Sequence, residues 1–483
     1  MPDHLGSDLY LDIRNPEYMP RGEVLISELV ALKYESDAFG THSDGVVEGR
    51  IYRARARGDR SVRIVSTDPY GLSSPNDPAE WESALDDAGL VCDDALDQAA
   101  WVLAGSFAGL ESKKGKGQAA TPMTPGLALL QDARGVVGRR NPYNVALAIE
   151  RMYTLGGSCP PVEDRNISAV KQWIRAAESR LEADSLLRLL DTGAKEALLR
   201  NFSLKGDDPQ QAGGAPKNPC LGPNTPFSWF RVSWDRLTSE EWVEALPART
   251  WTDWAIAVIR AGLAFGYLWE IRWYETITKL ILRGGSQLQE VGWEDLVLAA
   301  NRHGPLLEWG DQTRPVGLRD VASSLKAKCL TYAALQEEVK TTFTNANGEA
   351  VGEALLRASR DSEIRARFHQ ALQSNSNPNC HELVRYMLLA GEEQGRYADY
   401  YGLLEKVGPR YSVVNPATEW VAVVASLSMD VHAEDSTLNE VSASLKRLGL
   451  QPSNEELIKH LHLAGLARGA PDADGAVVVK SAF

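Results

Sequence analysis

The sequence contains few cysteines and no pattern that would bind a metal. Its 483 residues include five cysteines at wide spacing, without any Cys-x-x-Cys pair, which argues against a disulfide framework or a zinc site. The eight histidines form neither His-Glu-x-x-His nor a set of His and Cys with zinc spacing. We therefore predict reduced thiols and neither a bound metal nor a cofactor.

Motifs of the common catalytic folds are also missing. The chain has no G-x-x-x-x-G-K-[ST] phosphate loop and no G-x-S-x-G nucleophile elbow. Residues 115–120 fit the relaxed dinucleotide pattern G-x-G-x-x-A, but they follow a predicted helix rather than a strand. Glu338-Val339-Lys340 with Asp320 upstream matches the letters of a metal-dependent nuclease, yet it lies in a predicted helix, where we expect surface ion pairs. We expect no catalytic machinery.

No apolar run is long enough to span a membrane without interruption. The nearest is Ala255 to Trp269, which Arg260 splits, whereas a spanning helix needs about 20 apolar residues. We predict a buried core helix there. The first residues lack the basic and apolar regions of a signal peptide, so we expect a cytoplasmic protein that does not contact membranes.

Basic residues are fewer than acidic ones, 51 against 65, for a formal charge of −14. This balance argues against nucleic-acid binding by the whole surface, because such binding depends on Lys and Arg neutralising phosphates. A local basic patch is still predicted in a β-hairpin over Val46 to Thr67. With the three-residue loop Gly58 to Arg60, one face of that hairpin carries four arginines suited to phosphates or carboxylates: Arg53, Arg55, Arg57 and Arg63.

Composition divides the chain into segments. Residues 1–110 mix strand and helix signals, including a helix at Glu23 to Tyr34, and predict a small α+β domain with the Arg-rich hairpin. Residues 127–202 predict a helical segment, and 227–407 a Trp-rich helical domain. Between them, 111–126 and 203–226 are rich in Gly and Pro and predict loops.

The Trp-rich segment is predicted to be helical and packed around its own aromatics. Nine of the thirteen tryptophans lie between Trp229 and Trp309, and several recur at steps of three or four residues. Such a stripe could stack bases, but at helical spacing it more often forms a core. Further helices are predicted at Leu318 to Thr344, Glu349 to Leu372 and Asn379 to Lys406.

The last residues, 410–483, have a distinct order of elements. A helix after Asn415-Pro416, a second over Ser436 to Leu448 and a third over Ser453 to Gly465 precede a hairpin with its tip at 471–475. This order resembles a winged-helix domain, which implies that the third helix, Ser453 to Ala464, is the one that enters the DNA major groove. Candidate groove-reading residues are then Lys459, His460, His462 and Arg468.

Charge favours protein contacts over DNA for this C-terminal unit. Residues 410–483 contain six basic and nine acidic residues, and the third helix begins Asn454-Glu455-Glu456, which would repel phosphates. The Trp block Trp251 to Glu270 together with this tail resembles the accessory, non-enzymatic proteins of bacterial multi-gene anti-phage defence systems. That resemblance implies a protein that works through partners.

These observations predict a mainly α multidomain protein with a small α+β N-terminal domain, a helical middle and a C-terminal winged-helix-like domain. Our leading hypothesis is a non-catalytic adaptor or structural subunit of a cytoplasmic complex, bound to other protein subunits. The alternative is a DNA- or RNA-binding subunit that uses the arginine hairpin and the winged helix. A third hypothesis is an enzyme whose active site in the helical middle matches no known motif.

Overall fold

The computed structural model describes residues 22–33, 52–53, 121–129, 131–132, 145–157, 168–199, 221–302, 304–309, 321–329, 332–346, 349–374, 378–389, 400–407, 411–429, 435–469 and 477–482. These residues are mainly helical, as predicted. The helices of the first half are α1 Gly22–Lys33, α2 Pro125–Leu129, α3 Val145–Leu155, α4 Ala169–Ala183, α5 Ser185–Leu199, α6 Pro226–Leu237, α7 Glu240–Ala245 and α8 Ala248–Arg283. Most of the domain 1–110, including the greater part of the predicted hairpin, and the dinucleotide-like segment 115–120 lie outside the described residues.

The second half contains helices and short sheets. A 3-10 turn over Ser286–Glu290 precedes α9 Trp293–Asn301, α10 Val321–Cys329, α11 Tyr332–Thr344, α12 Val351–Arg360, α13 Ser362–Gln373, α14 Pro378–Leu388, α15 Thr418–Ser426, α16 Leu438–Leu448 and α17 Asn454–Leu463. The strands are β1 Tyr52–Arg53, β2 Gln131–Asp132, β3 Leu404–Val407, β4 Tyr411–Val414, β5 Asp435–Thr437, β6 Ala467–Gly469 and β7 Val477–Lys480.

The long helix α8 is the centre of the described structure. It has 36 residues, which corresponds to roughly 54 Å at about 1.5 Å per residue. Helices α1, α3, α6, α9, α11, α12, α14 and α15 all pack on it, so it is apolar around most of its circumference. By length and composition α8 could cross a membrane, but 94% of its most apolar window is buried inside the protein. The predicted buried helix is confirmed.

Arg260, which interrupts the apolar run, has a structural role in this core. Its guanidinium donates hydrogen bonds to the carbonyl oxygens of Met387, at 2.9 Å, and Leu389, at 2.8 Å. These carbonyls end α14 and have no partner within the helix. A charged side chain therefore fixes the end of one helix against the middle of another, and its charge is compatible with a buried position.

The tryptophan stripe forms core, as predicted. Trp251, Trp254, Trp269 and Trp273 are each at most 2% exposed. Trp251 donates to the carbonyl of Leu237 at 2.8 Å and its ring stacks on Trp173 at 5.4 Å between centroids. Burial with the indole N–H satisfied is the arrangement in which tryptophan stabilises a core.

Several long predicted helices are divided in the structure. The stretch Glu349 to Leu372 breaks at Asp361, whose carboxylate accepts from the backbone N–H groups of Glu363 and Ile364 and so starts α13. Apolar periodicity continues across this break, which is why the sequence pattern did not reveal it. The stretch Asn379 to Lys406 was wrong in its second half, because α14 ends at Leu388 and residues 404–407 form β3.

The predicted surface loop 111–126 is wrong at its C-terminal end. Residues 121–126 are buried, and the backbone N–H of Gly126 donates to the Asp191 carboxylate at 2.6 Å. Thr124 accepts from the N–H of Leu127 at 3.2 Å and Pro125 opens α2. Thr and Pro act here as helix-start signals rather than as loop residues.

The strands form three small sheets. β1 pairs with β2 in parallel, and β3 with β4 antiparallel. The predicted boundary between residues 407 and 410 therefore falls between the paired strands β3 and β4. β5, β7 and β6 form an antiparallel sheet in that order, next to α15, α16 and α17. Buried apolar residues of the Trp-rich segment and of this last unit belong to one continuous hydrophobic cluster.

Candidate interaction site on the C-terminal helices

Helices α16 and α17 are each defined by strong end signals. Thr437 and Glu440 form a reciprocal capping box at the start of α16. Gly449 ends α16 in a left-handed conformation with φ 105°, which glycine adopts without steric cost. Ser453 then caps α17 by accepting from the N–H of Glu456 at 3.2 Å. The two helices are therefore separated by a short, tightly determined turn.

Helix α17 has one buried and one exposed side. Leu457, His460 and Leu461 are buried. The outer face of α17 carries four exposed side chains, Glu455, Lys459, His462 and Leu463. Leu463 is 64% exposed, the most of any large apolar side chain among the described residues. Sequence reasoning missed Leu463, although its position, six residues after Leu457 and two after Leu461, already separates it from the buried stripe.

The structure separates the four predicted C-terminal residues. Lys459, His462 and Arg468 are exposed. His460 is only 7% exposed and its ring lies 5.4 Å from that of Trp309. Burial, followed by the nearby charge of Lys459, lowers its pKa. His460 is therefore a packing residue rather than a surface ligand, because successive helical residues are rotated by about 100°.

The predicted arginine face lies largely outside the described residues. Arg55, Arg57 and Arg63 lie outside them altogether. Arg53 is in β1, where its backbone pairs in parallel register with Asp132 of β2. This contact joins residues of the first predicted domain to the segment that follows α2.

A short segment fastens the turn between α16 and α17 to the body of the protein. We call residues 304–309 the strap. The backbone N–H of Leu306 donates to the carbonyl of Gly449 at 2.8 Å, and Leu307 forms a parallel β-bridge with Leu450. On its other side, the Lys328 ammonium donates to the carbonyl of Leu306 at 2.6 Å, and burial lowers the pKa of that ammonium.

The strap is also bound to the central helix. The guanidinium of Arg272, on α8, donates to the carbonyls of Gly304 at 2.7 Å and Pro305 at 2.8 Å. Trp309, at the end of the strap, covers His460. The strap thus connects α8 and α10 with the start of the turn that precedes α17, at Gly449 and Leu450. Nothing local in the sequence indicated this contact.

No protein-family model matches this chain. A search of the curated proteins also found no matching relative. The function must therefore be argued from the residues and their geometry.

A second polar cluster joins α3, α4 and α6 to one another. The Glu150 carboxylate accepts from the N–H groups of Ala169 at 3.1 Å and Val170 at 2.7 Å at the start of α4, and burial raises its pKa to about 7. Tyr153 donates to Asp235, and burial together with this bond raises the pKa of the Tyr153 hydroxyl. These groups bond to each other and to helix ends, so they hold the helices together.

The nuclease-like pattern and a possible metal site can also be compared with the structure. The residues of the nuclease-like pattern lie on α11, where Glu338 approaches Arg367 to 3.6 Å. This is the predicted ion pair on a helix. Asp320 lies outside the described residues. Within the described ranges, no group of three or more His, Cys, Asp or Glu side chains is arranged to hold a metal.

Proposed function

We propose that this protein is a non-catalytic adaptor or structural subunit of a multiprotein complex, and that its C-terminal residues form a winged-helix-like unit. Three helices, α15, α16 and α17, precede the strands β6 and β7. The antiparallel sheet order β5–β7–β6 fits that assignment. Fold resemblance does not specify function; what the unit can bind depends on the surface that it presents.

The observation that carries the proposal is the outward presentation of α17. Helix α15 packs on α8 and α16 packs on α6, where Trp229 donates from its indole to the Ser444 hydroxyl at 3.2 Å. Arg236 donates to the carbonyl of Leu427, just after α15, at 2.6 Å. Since α15 and α16 are held against the body and the strap binds the turn between α16 and α17, the outer face of α17 is a rigid platform.

The chemistry of that platform favours a protein partner. Helices that read the major groove present their N-terminal residues to base edges. In α17 these residues are Asn454, Glu455 and Glu456, and carboxylates oppose the phosphate field of DNA. The exposed Leu463 in the last turn is instead the type of apolar side chain that protein interfaces bury.

The biological setting follows from the resemblance and is part of the proposal. The Trp block resembles those of accessory proteins in bacterial anti-phage defence, and we propose a cytoplasmic complex of that kind. Since Trp251, Trp254 and Trp269 are core residues, the block supplies stability, and docking is assigned to α17.

A nucleic-acid-binding subunit is the second candidate. It is favoured by three exposed basic side chains, Lys459, His462 and Arg468, which have no ion pair or side-chain hydrogen bond within the described residues. The predicted arginine hairpin would add to this surface. Net negative charge over the whole chain opposes it.

Affinity capture of the tagged protein at its native level, from its own cells, with and without nuclease and followed by mass spectrometry, tests both. We expect stoichiometric protein partners that persist after nuclease, with an untagged strain as control. Partners lost on nuclease treatment, with DNA or RNA co-purifying, would establish the second candidate. A protein recovered alone would contradict both.

A further inference from the structure

We infer that the outer face of α17, together with Arg468 on β6, is a docking site for a protein segment that carries acidic residues next to a large apolar side chain. This inference rests on the proposed function and names the chemistry of the partner. It depends on the position of Leu463, on the exposed basic residues Lys459 and Arg468, and on the way α17 is held against the body of the protein.

Helical spacing brings the relevant side chains together. Residues four apart on a helix are neighbours on its surface. Lys459 lies three positions before His462 and four before Leu463, so its side chain neighbours both. Beyond them the chain turns at Gly465, with φ 73°, and enters β6, where Arg468 is exposed. Lys459 therefore lies beside the exposed Leu463, and His462 and Arg468 are further exposed basic residues close to this end of α17 in the chain.

Leu463 is the natural anchor of such a site. It is 64% exposed, whereas Leu457 and Leu461 on the same helix are at most 2% exposed. Single exposed apolar residues are common on protein surfaces. Here the exposed leucine stands on a helix whose backbone is held in place, so a partner that buries it orders few additional groups. A preorganised anchor is what gives a short contact useful affinity.

Charge complementarity specifies the partner's chemistry. The side chains of Lys459 and Arg468 have no ion pair within the described residues, so a partner carboxylate does not have to displace an internal one. Glu455, two turns before His462 on the same face, makes the N-terminal end of the site acidic, whereas Lys459 and Arg468 make its C-terminal end basic. The partner's acids are expected over the C-terminal half of α17, and repulsion from Glu455 disfavours acids over the N-terminal half. A continuous phosphate backbone would contact both halves.

The test is selection from a random library of 16-residue peptides displayed on phage, with the immobilised full-length protein as target. We expect enriched peptides to carry Asp or Glu within one helical turn of Leu, Ile, Phe or Trp. The best peptide is then synthesised with a fluorophore, and its affinity is measured by anisotropy against four variants. Lys459→Glu and Leu463→Ala change the site. Lys446→Glu, exposed on α16, and Leu298→Ala, 47% exposed on α9, are matched controls.

The expected result is a loss of affinity of at least about tenfold for each site variant and little change for each control. Binding should also weaken as salt is raised. Enriched peptides without acids, or equal binding by Lys459→Glu and Lys446→Glu, would overturn the inference. So would competition by a 20-base-pair DNA duplex that depends on Lys459.

The same variants distinguish failure of the inference from failure of the proposed function. If stoichiometric partners are captured from cells equally by the wild type, Leu463→Ala and Leu298→Ala, the adaptor function stands and the α17 site is wrong. If no protein is captured from cells, the adaptor function fails, whatever the peptides show.

Discussion

The contact between the strap and the turn before α17 can be tested at one glycine. In Gly449 the backbone has φ 105°, and a Cβ placed there would lie 2.5 Å from Cδ1, 2.8 Å from Cγ and 2.9 Å from Cβ of Leu306. Gly449→Ala therefore imposes two costs. A left-handed residue other than glycine costs about 1–2 kcal/mol, and forcing a methyl group into packed neighbours costs about 1–3 kcal/mol more.

Gly465→Ala is the matched control. Gly465 also has a positive φ, 73°, but no atom lies within 4 Å of its notional Cβ. Only the conformational cost applies there, and the smaller entropy of the unfolded alanine chain offsets about 0.4–1 kcal/mol of it. We expect Gly465→Ala to lower the free energy of unfolding by at most about 1.5 kcal/mol, and Gly449→Ala to lower it by about 1–3 kcal/mol more, which is the packing cost.

Two measurements check this prediction. Urea unfolding followed by tryptophan fluorescence compares the stabilities of the two variants. Hydrogen exchange reports the contact directly, because the amide of Leu306 is bonded to the Gly449 carbonyl and should exchange faster in Gly449→Ala than in Gly465→Ala. Equal destabilisation with an equally protected Leu306 amide would show that the strap does not pack against this turn.

Three further predictions concern the packing of the unit and its titrating groups. Trp229→Phe should lower the free energy of unfolding by about 1–3 kcal/mol, because it leaves the buried Ser444 hydroxyl without its hydrogen-bond donor at 3.2 Å. A double-mutant cycle with Ser444→Ala should show coupling between the two residues. Additive effects of the two substitutions would contradict this hydrogen bond. The pKa of Glu150 is raised from 4.5 to about 7, so its stabilising contribution is full below pH 4.5 and is lost as pH rises through 7. The stability of the wild type relative to Glu150→Gln should accordingly fall between pH 5 and 8, by up to about 3 kcal/mol, and parallel pH profiles would refute this. The pKa of His460 is lowered by burial from 6.5, so its contribution is full above pH 6.5 and is lost as pH falls; chemical unfolding at pH 7.5 and 5.5 should show a smaller loss of stability for His460→Gln than for the wild type.

The spacing of apolar residues was sufficient to locate a helix and its core residues where one face of the helix is buried along its whole length. The stripe through Trp251, Trp254 and Trp269 follows helical spacing, and all three are core residues. The helix at Glu23 to Tyr34 was also located correctly, one residue away from the observed Gly22–Lys33. In both cases apolar residues spaced at the helical period of 3.6 lie on one face of the helix, and that face packs against the core.

Local pattern failed where polar groups cap or interrupt a helix. A carboxylate at Asp361 ends one helix and starts the next without any change in apolar spacing. Among the candidate site residues, His460 and His462 are two apart on one helix and point in different directions, but the spacing does not tell which of them is covered. Trp309, from a distant part of the chain, packs on His460, and His462 is exposed.

The sequence by itself determined the mainly helical character, the aromatic core and the three helices after residue 410, because these depend on spacing and end signals within short stretches; it did not reveal the strands β4 and β5 that precede two of those helices. Only the tertiary structure decided which faces are left exposed. Leu306 meets Gly449, and Trp229 meets Ser444, through contacts between residues far apart in the chain. Such contacts depend on the simultaneous packing of many helices around α8, and no short pattern records them. Leu463 and Lys459 of α17 are left exposed when that packing is complete.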